Sequence, residues 1–139
     1  MIYSEDETFE IGKAKKLMDG NDVTIIANGD TVHLALDAAK KLKEMGISVK
    51  LFDMHTIKPI DKDAVLESVK TGRIVTVEDH NIINGLGSAV SEIVAEEGGA
   101  KVIRIGVMDQ FGESAPYEEL LAMNGITVEN IMEKAKSLL

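Results

Sequence analysis

Four short apolar runs recur along the chain, each closed by polar or turn-forming residues. They are Asp22–Asn28, with Val-Thr-Ile-Ile-Ala at its centre, Ser48–Met54, Arg73–Glu78 and Lys101–Val107. β-Branched side chains dominate all but Ser48–Met54, and their length suits buried strands. Between the runs the apolar spacing becomes helical. Ala35, Ala38, Ala39 and Leu42 share one face, while Leu86, Ala89, Val90, Ile93 and Val94 share another. A further helix carries Val65 and Val69, and the last has the stripe Val128, Ile131, Met132, Ala135 and Leu138. Strand alternating with helix predicts a parallel sheet.

Local punctuation agrees. Gly46 and Gly98-Gly99 stand where helices should stop, and Asp61, just after Pro59, can cap the helix of Val65 and Val69. Thr127 is placed to cap the last helix. The stretch Phe9–Met18 reads either as a helix, which Gly12 disfavours, or as an edge strand, which Lys13, Lys15 and Lys16 favour because charge discourages pairing with another molecule. Residues 1–8, with Glu5, Asp6 and Glu7, are expected to form a mobile tail ahead of one domain over 9–139.

At 139 residues and 45% apolar content, one core is expected, burying roughly two thirds of the unfolded surface. The net charge of −9, with no Lys/Arg cluster longer than a pair, argues against nucleic acid and against capture of sugar phosphates by this domain alone. Without cysteine there is no thiolate catalysis, disulfide or thiolate metal site. No stretch approaches the ~20 apolar residues of a membrane span, and the start is acidic, so a soluble, cytoplasmic protein with no membrane partner is expected.

Two marks are more specific. The first is Phe111-Gly112-Glu113-Ser114-Ala115-Pro116, followed by Gly125-Ile126-Thr127-Val128-Glu129-Asn130 and Lys134-Ala135-Lys136. The second is the run Thr76–Val90, centred on Val77-Glu78-Asp79-His80-Asn81 and Gly85-Leu86-Gly87. Together with Phe9–Lys13 and Thr56–Asp61 they make nearly the whole chain resemble the C-terminal domain of transketolases. The second mark is shared with deoxyxylulose-phosphate synthases and 2-oxoacid dehydrogenase β subunits, which stay open as alternatives beside a stand-alone small-ligand-binding module. The resemblance implies a three-layer α/β/α fold with a five-stranded mixed sheet of order 1-3-2-4-5, strand 1 antiparallel.

It further implies a section of an enzyme moving two-carbon ketol units between sugar phosphates in the pentose phosphate pathway. In that family the parent enzyme uses thiamine diphosphate and Mg, gripped by a Gly-Asp-Gly element with a distant Asn and by a glutamate. The Gly-Asp of this chain is Gly29-Asp30, followed by Thr31. The expectation is therefore a domain with no catalytic, cofactor-binding or metal residues, inactive alone. It would act as scaffold and dimer contact beside the remaining thiamine-binding domains, on the same chain or a separate subunit, in a homodimer. The short acidic start suggests a junction with missing sequence.

With the implied strand order, strands 2 and 4 are neighbours whose crossovers leave in opposite directions. Such a switch point is where open α/β sheets bind ligands. The loops facing it are Asn28–Thr31 and Glu78–Asn81, and His33, His55, His80, Asp30, Asp53 and Asp79 all follow or end parallel strands. These groups read as a His/Asp metal site, as loop and cap residues, or as the border of a site completed elsewhere. Gly85-Leu86-Gly87-Ser88-Ala89-Val90 has the context of a dinucleotide fingerprint, but Val90 replaces the third glycine and Asp109 lies too far on. Ser114 lacks a nucleophile elbow and reads as a cap before Pro116; Glu113 has no local partner carboxylate. The residues expected to face the rest of the enzyme are His80, Asn81, Gly85, Gly87, Phe111, Gly112, Glu113 and Ser114.

Overall fold

The computed structural model describes residues 10–82, 84–107 and 116–139, with the side chains of His80 and Asn81 outside that set. The expected tail and the Phe111–Ser114 part of the expected interface lie outside the described residues. The elements are β1 (Lys15–Met18), β2 (Val23–Ala27), a 3-10 turn (Gly29–Thr31), α1 (Val32–Glu44), β3 (Val49–Asp53) and α2 (Lys62–Val69). They continue as β4 (Arg73–Asn81), α3 (Leu86–Glu97), β5 (Lys101–Val107), α4 (Tyr117–Met123) and α5 (Val128–Ser137).

The strands lie in the order β1-β3-β2-β4-β5, with β1 antiparallel to β3 and the remaining pairs parallel. This is the expected mixed sheet. Every residue of β2 and β3 is buried, as central strands covered on both faces require. Successive side chains point to opposite faces. Ile25 thus joins Ala35, Leu42, Ile131 and Ala135 in a core under α1 and α5, whereas Ile26 joins Val65, Leu86 and Val90 under α2 and α3.

The predicted caps carry their helices. Thr127 accepts a hydrogen bond from the Asn130 N–H at 3.1 Å. Asp61 accepts one from the Ala64 N–H at 3.1 Å, and its other oxygen takes the Ala14 N–H at 2.8 Å, which ties the start of β1 to the start of α2. Two boundaries differ from expectation. Among the described residues of the stretch Phe9–Met18, 10–18, only Lys15–Met18 is strand, because the chain turns at Ile11-Gly12, where Gly12 has φ +80°. At the other side of the sheet β4 runs past Glu78 to Asn81, pairing with Val107 after an irregularity in register.

At the β1 edge, Glu67 receives Lys16 at 2.7 Å and the largely buried Lys50 at 2.9 Å. The Lys16 hydrogen bond, seconded by that of Lys50, holds the Glu67 carboxyl below the usual carboxylate range, and Glu67 in return raises Lys16. A depressed carboxyl stabilises the fold above its ordinary value of 4.5 and loses that contribution as pH falls through the folded-state value. The raised Lys16 stabilises below 10.5 and loses its contribution as pH climbs past its folded-state value. Glu67→Gln should therefore lower stability at neutral pH by a small, solvent-screened amount. In urea melts taken from pH 7 downward, the gap to wild type should close below pH 4.5.

Candidate functional site

The crevice between the carboxyl ends of β2 and β4 is built from the turn after β2 and the extension of β4. The Asn28 N–H bonds the Val77 carbonyl at 3.3 Å, and Thr31 Oγ1 donates toward the carbonyls of Asn28 and Val77 at 2.7 and 3.0 Å. The 3-10 turn is thereby fastened across to β4. Gly29, at φ +57°, lies beneath Asp79: a Cβ there would stand 3.6 Å from the Asp79 carboxylate.

Over this seam sits Tyr117, the first residue of α4, whose hydroxyl donates to Asp79 Oδ2 at 2.7 Å with Asp30 Oδ2 at 3.4 Å. Partial burial, then the hydrogen bond to Asp79, push its phenol above the ordinary value, so it stays a neutral donor throughout the physiological range. Nothing in the sequence reading singled out Tyr117. The signal available was its place as the first helical residue after Pro116, close in the fold to two strand-end acids.

The second piece of the site is Glu78, which is fully buried. Its two carboxylate oxygens accept the N–H groups of Leu86 and Gly87 at 2.9 and 2.8 Å. The first N–H groups of a helix have no partner inside it, and the cap residue Gly85 has no side chain to offer. Glu78, eight residues upstream, supplies the acceptors and the negative charge that this end of α3 favours. The place where a dinucleotide pyrophosphate would sit is thus taken by the chain's own carboxylate, and the glycine-rich segment is no phosphate cradle.

Gly87 has a packing reason instead. A Cβ on it would come within 2.9 Å of Arg104 Cγ and Cδ and 3.0 Å of Thr76 Oγ1. Gly87→Ala should cost about 2 kcal/mol of stability by forcing these groups apart. In an Arg104→Ala background the cost should shrink, and a double-mutant cycle by chemical denaturation measures the difference.

The segment leading into α3 is pinned locally. The Asn84 N–H bonds Ser88 Oγ at 2.9 Å, and Ser88 Oγ donates to the Ile82 carbonyl at 2.8 Å, which holds Asn84 at φ +64°. Beside it opens a groove of about 400 Å³ between this turn and the loop before α2, lined by Ile57, Ile60, Gly85, Ser88, Ala89 and Ile93. Ala89 and Ile93, predicted for the core, are the half-buried members of their stripe that wall this groove.

Of the strand-end groups, Asp30 and Asp79 are brought together by Tyr117. His33 instead lines a groove beside α4, and His55 Nε2 meets the Glu10 carbonyl at 2.9 Å. Asp53 is buried within β3. Among the described residues no three His, Asp or Glu side chains converge as metal ligands. Gly85 and Gly87 open α3, and the backbones of His80 and Asn81 close β4. Gly29-Asp30-Thr31 does not fit a diphosphate–metal clamp: Thr31 is buried and bonded to the sheet, and Asp30 faces the Tyr117 hydroxyl. Among the described residues no helix is long and apolar enough to cross a membrane.

Comparison with known proteins accounts for this arrangement. The chain is 49% identical over 137 residues to a protein of Methanocaldococcus jannaschii named as a transketolase C-terminal section, covering 96% of this chain and 43% of that one. It is 43% identical over 135 residues to the 6-deoxy-6-sulfo-D-fructose transketolase subunit SqwH of a Clostridium species, covering 96% of this chain and 42% of the relative. The chain therefore spans less than half the length of these relatives. Among solved structures, a split-gene transketolase in an inactive β4 tetramer superposes with a TM-score of 0.93 at 41% identity, over 100% of this chain and 46% of that one. The sequence model of the transketolase C-terminal domain matches residues 12–131, nearly the whole of the described fold, and the chain belongs to that family.

Proposed function

We propose that this chain is the C-terminal section of a transketolase whose coenzyme-binding and catalytic groups lie on other domains, and that its task is to scaffold the assembled enzyme. The observation that carries this reading is the 49% identity, over 96% of the chain, with a protein named as such a section. Thiamine diphosphate and Mg belong, on this reading, to the partner domains, whether those share the chain or form a separate subunit. The solved split-gene relative, an inactive β4 tetramer, supports inactivity for a section lacking its complement.

The reaction proposed is two-carbon ketol transfer between sugar phosphates, with the pentose phosphate pathway as the setting. The Clostridium relative, named for a sulfonated sugar, shows that this domain type serves more than one sugar transketolase. Pairing of two such assemblies as a homodimer, with the groove beside Gly85 and Ser88 as a contact surface, completes the proposal.

Reconstitution tests it. The chain is mixed with the protein carrying the remaining transketolase domains, thiamine diphosphate and Mg, and ketol transfer from a ketose phosphate to an aldose phosphate is followed. Activity should need both proteins, and the coenzyme with Mg should leave the melting temperature of this chain alone unchanged. Turnover by the chain alone, or its tight uptake of the coenzyme, would sink the reading.

A further inference from the structure

Helix α4 is the least covered element of the fold. It reads Tyr-Glu-Glu-Leu-Leu-Ala-Met, yet none of its residues is buried, and Tyr117 and Met123 are 47% and 63% exposed. Its inward side is only half-buried, with Leu121 packing at the edge of the core, so its apolar side chains gain less from folding than buried ones, whose burial is what offsets the entropy of ordering the backbone. A hydrogen bond from Tyr117 to Asp79 fastens its first turn to the end of β4.

Between α4 and the opposite wall formed by α1 and the start of α5 runs a groove of about 380 Å³. Leu34, Leu121, Ile126 and Val128 give it an apolar floor, and Glu118 and Glu129 stand at its border. Lys and Arg are absent from its lining among the described residues. This surface is separate from the groove beside Gly85, which is lined from α3 and the loop before α2.

We infer that the groove between α4 and α1 is a docking surface for a basic segment of the protein that carries the remaining transketolase domains, an apolar side chain entering the groove with a Lys or Arg beside it. The inference rests on the reading under Proposed function and adds the place and chemistry of one contact. Charge selects the occupant. A second copy of this chain, itself at net −9, is repelled on average at long range, whereas a basic segment meets Glu118 and Glu129 with complementary charge. More than half the length of the related C-terminal section lies beyond the part this chain matches, so ample protein is there to provide such a segment.

The test measures binding of this chain to that partner protein by calorimetry at low and high salt, for wild type, Ala122→Arg and Glu118→Lys. Ala122 and Glu118 are exposed, so neither change disturbs the core, and melting curves check this. Ala122→Arg, which fills the groove and opposes the incoming cation, should weaken binding by about tenfold or more. Glu118→Lys should weaken it several-fold at low salt, with the loss fading at high salt where surface charges are screened.

Both variants binding within about twofold of wild type at low salt would overturn the inference while leaving the proposed function standing. A wild-type chain that fails to bind the partner at all would overturn both. Self-association abolished by Ala122→Arg, with partner binding intact, would assign the groove to a second copy and refute the occupant named here.

Discussion

Glu78→Ala should lower the unfolding free energy by about 3–5 kcal/mol, a large part of the ~5–15 kcal/mol that a domain of this kind has. Two costs add. The Leu86 and Gly87 N–H groups, now 2.9 and 2.8 Å from carboxylate oxygens, would be left without acceptors in a buried place. The deleted side chain, fully buried, would leave a void at the junction of β4 and α3. Glu78→Gln keeps the volume and one carbonyl acceptor but turns an amide donor toward an N–H, so about 2 kcal/mol is expected. Urea denaturation gives both values. A loss below about 1 kcal/mol for Glu78→Ala would mean that water or another group replaces the carboxylate, and the account of the α3 terminus would fall.

That carboxylate also shows where sequence reasoning ran out. The runs Asp22–Asn28, Ser48–Met54 and Lys101–Val107 were legible as short, mainly apolar stretches closed by polar or turn-forming residues, and their observed bounds fall within a residue. β4 was read short because Glu78-Asp79-His80-Asn81 looks like a loop, yet its backbone continues to pair with β5 as far as Val107. The polar side chains there are used across the sheet end: Glu78 on α3, Asp79 on Tyr117. Partners eight and thirty-eight residues away leave no periodic trace.

Resemblance, not pattern, supplied the strand order and the antiparallel β1. Periodicity could not choose between helix and strand for the stretch Phe9–Met18, in which the last four residues form β1. The glycines of the supposed fingerprint were legible as glycines, but not their cause. Thr76 and Arg104, which crowd the place of a Cβ at Gly87, sit on adjacent strands and meet it only in three dimensions. At the switch point, strand ends announced Asp30 and Asp79, while the phenol that joins them arrives from the far end of the chain.

Gly20→Ala should be comparably severe, at about 3 kcal/mol, with the melting temperature lowered by roughly 10 °C. The topology explains why. β1 pairs with one side of β3 and β2 with the other, so the link between β1 and β2 must cross the start of β3. Hydrogen bonds hold it down there: the Asn21 N–H reaches Ser48 Oγ at 3.0 Å, and Asp22 Oδ2 accepts the Ser48 N–H at 2.7 Å. At the crossing, a Cβ on Gly20 would lie 2.4–2.5 Å from the backbone of Val49. Backbone held in a sheet ladder cannot swing aside as a side chain does, so relief requires lifting the link and losing those bonds. Gly46→Ala supplies the contrast. That residue has φ +86° but open space around it, so its cost should be the backbone strain alone, about 1 kcal/mol. A loss for Gly20→Ala no larger than that for Gly46→Ala in thermal melts would show that the link lifts away from Val49 at little cost, and the crossing argument would fail.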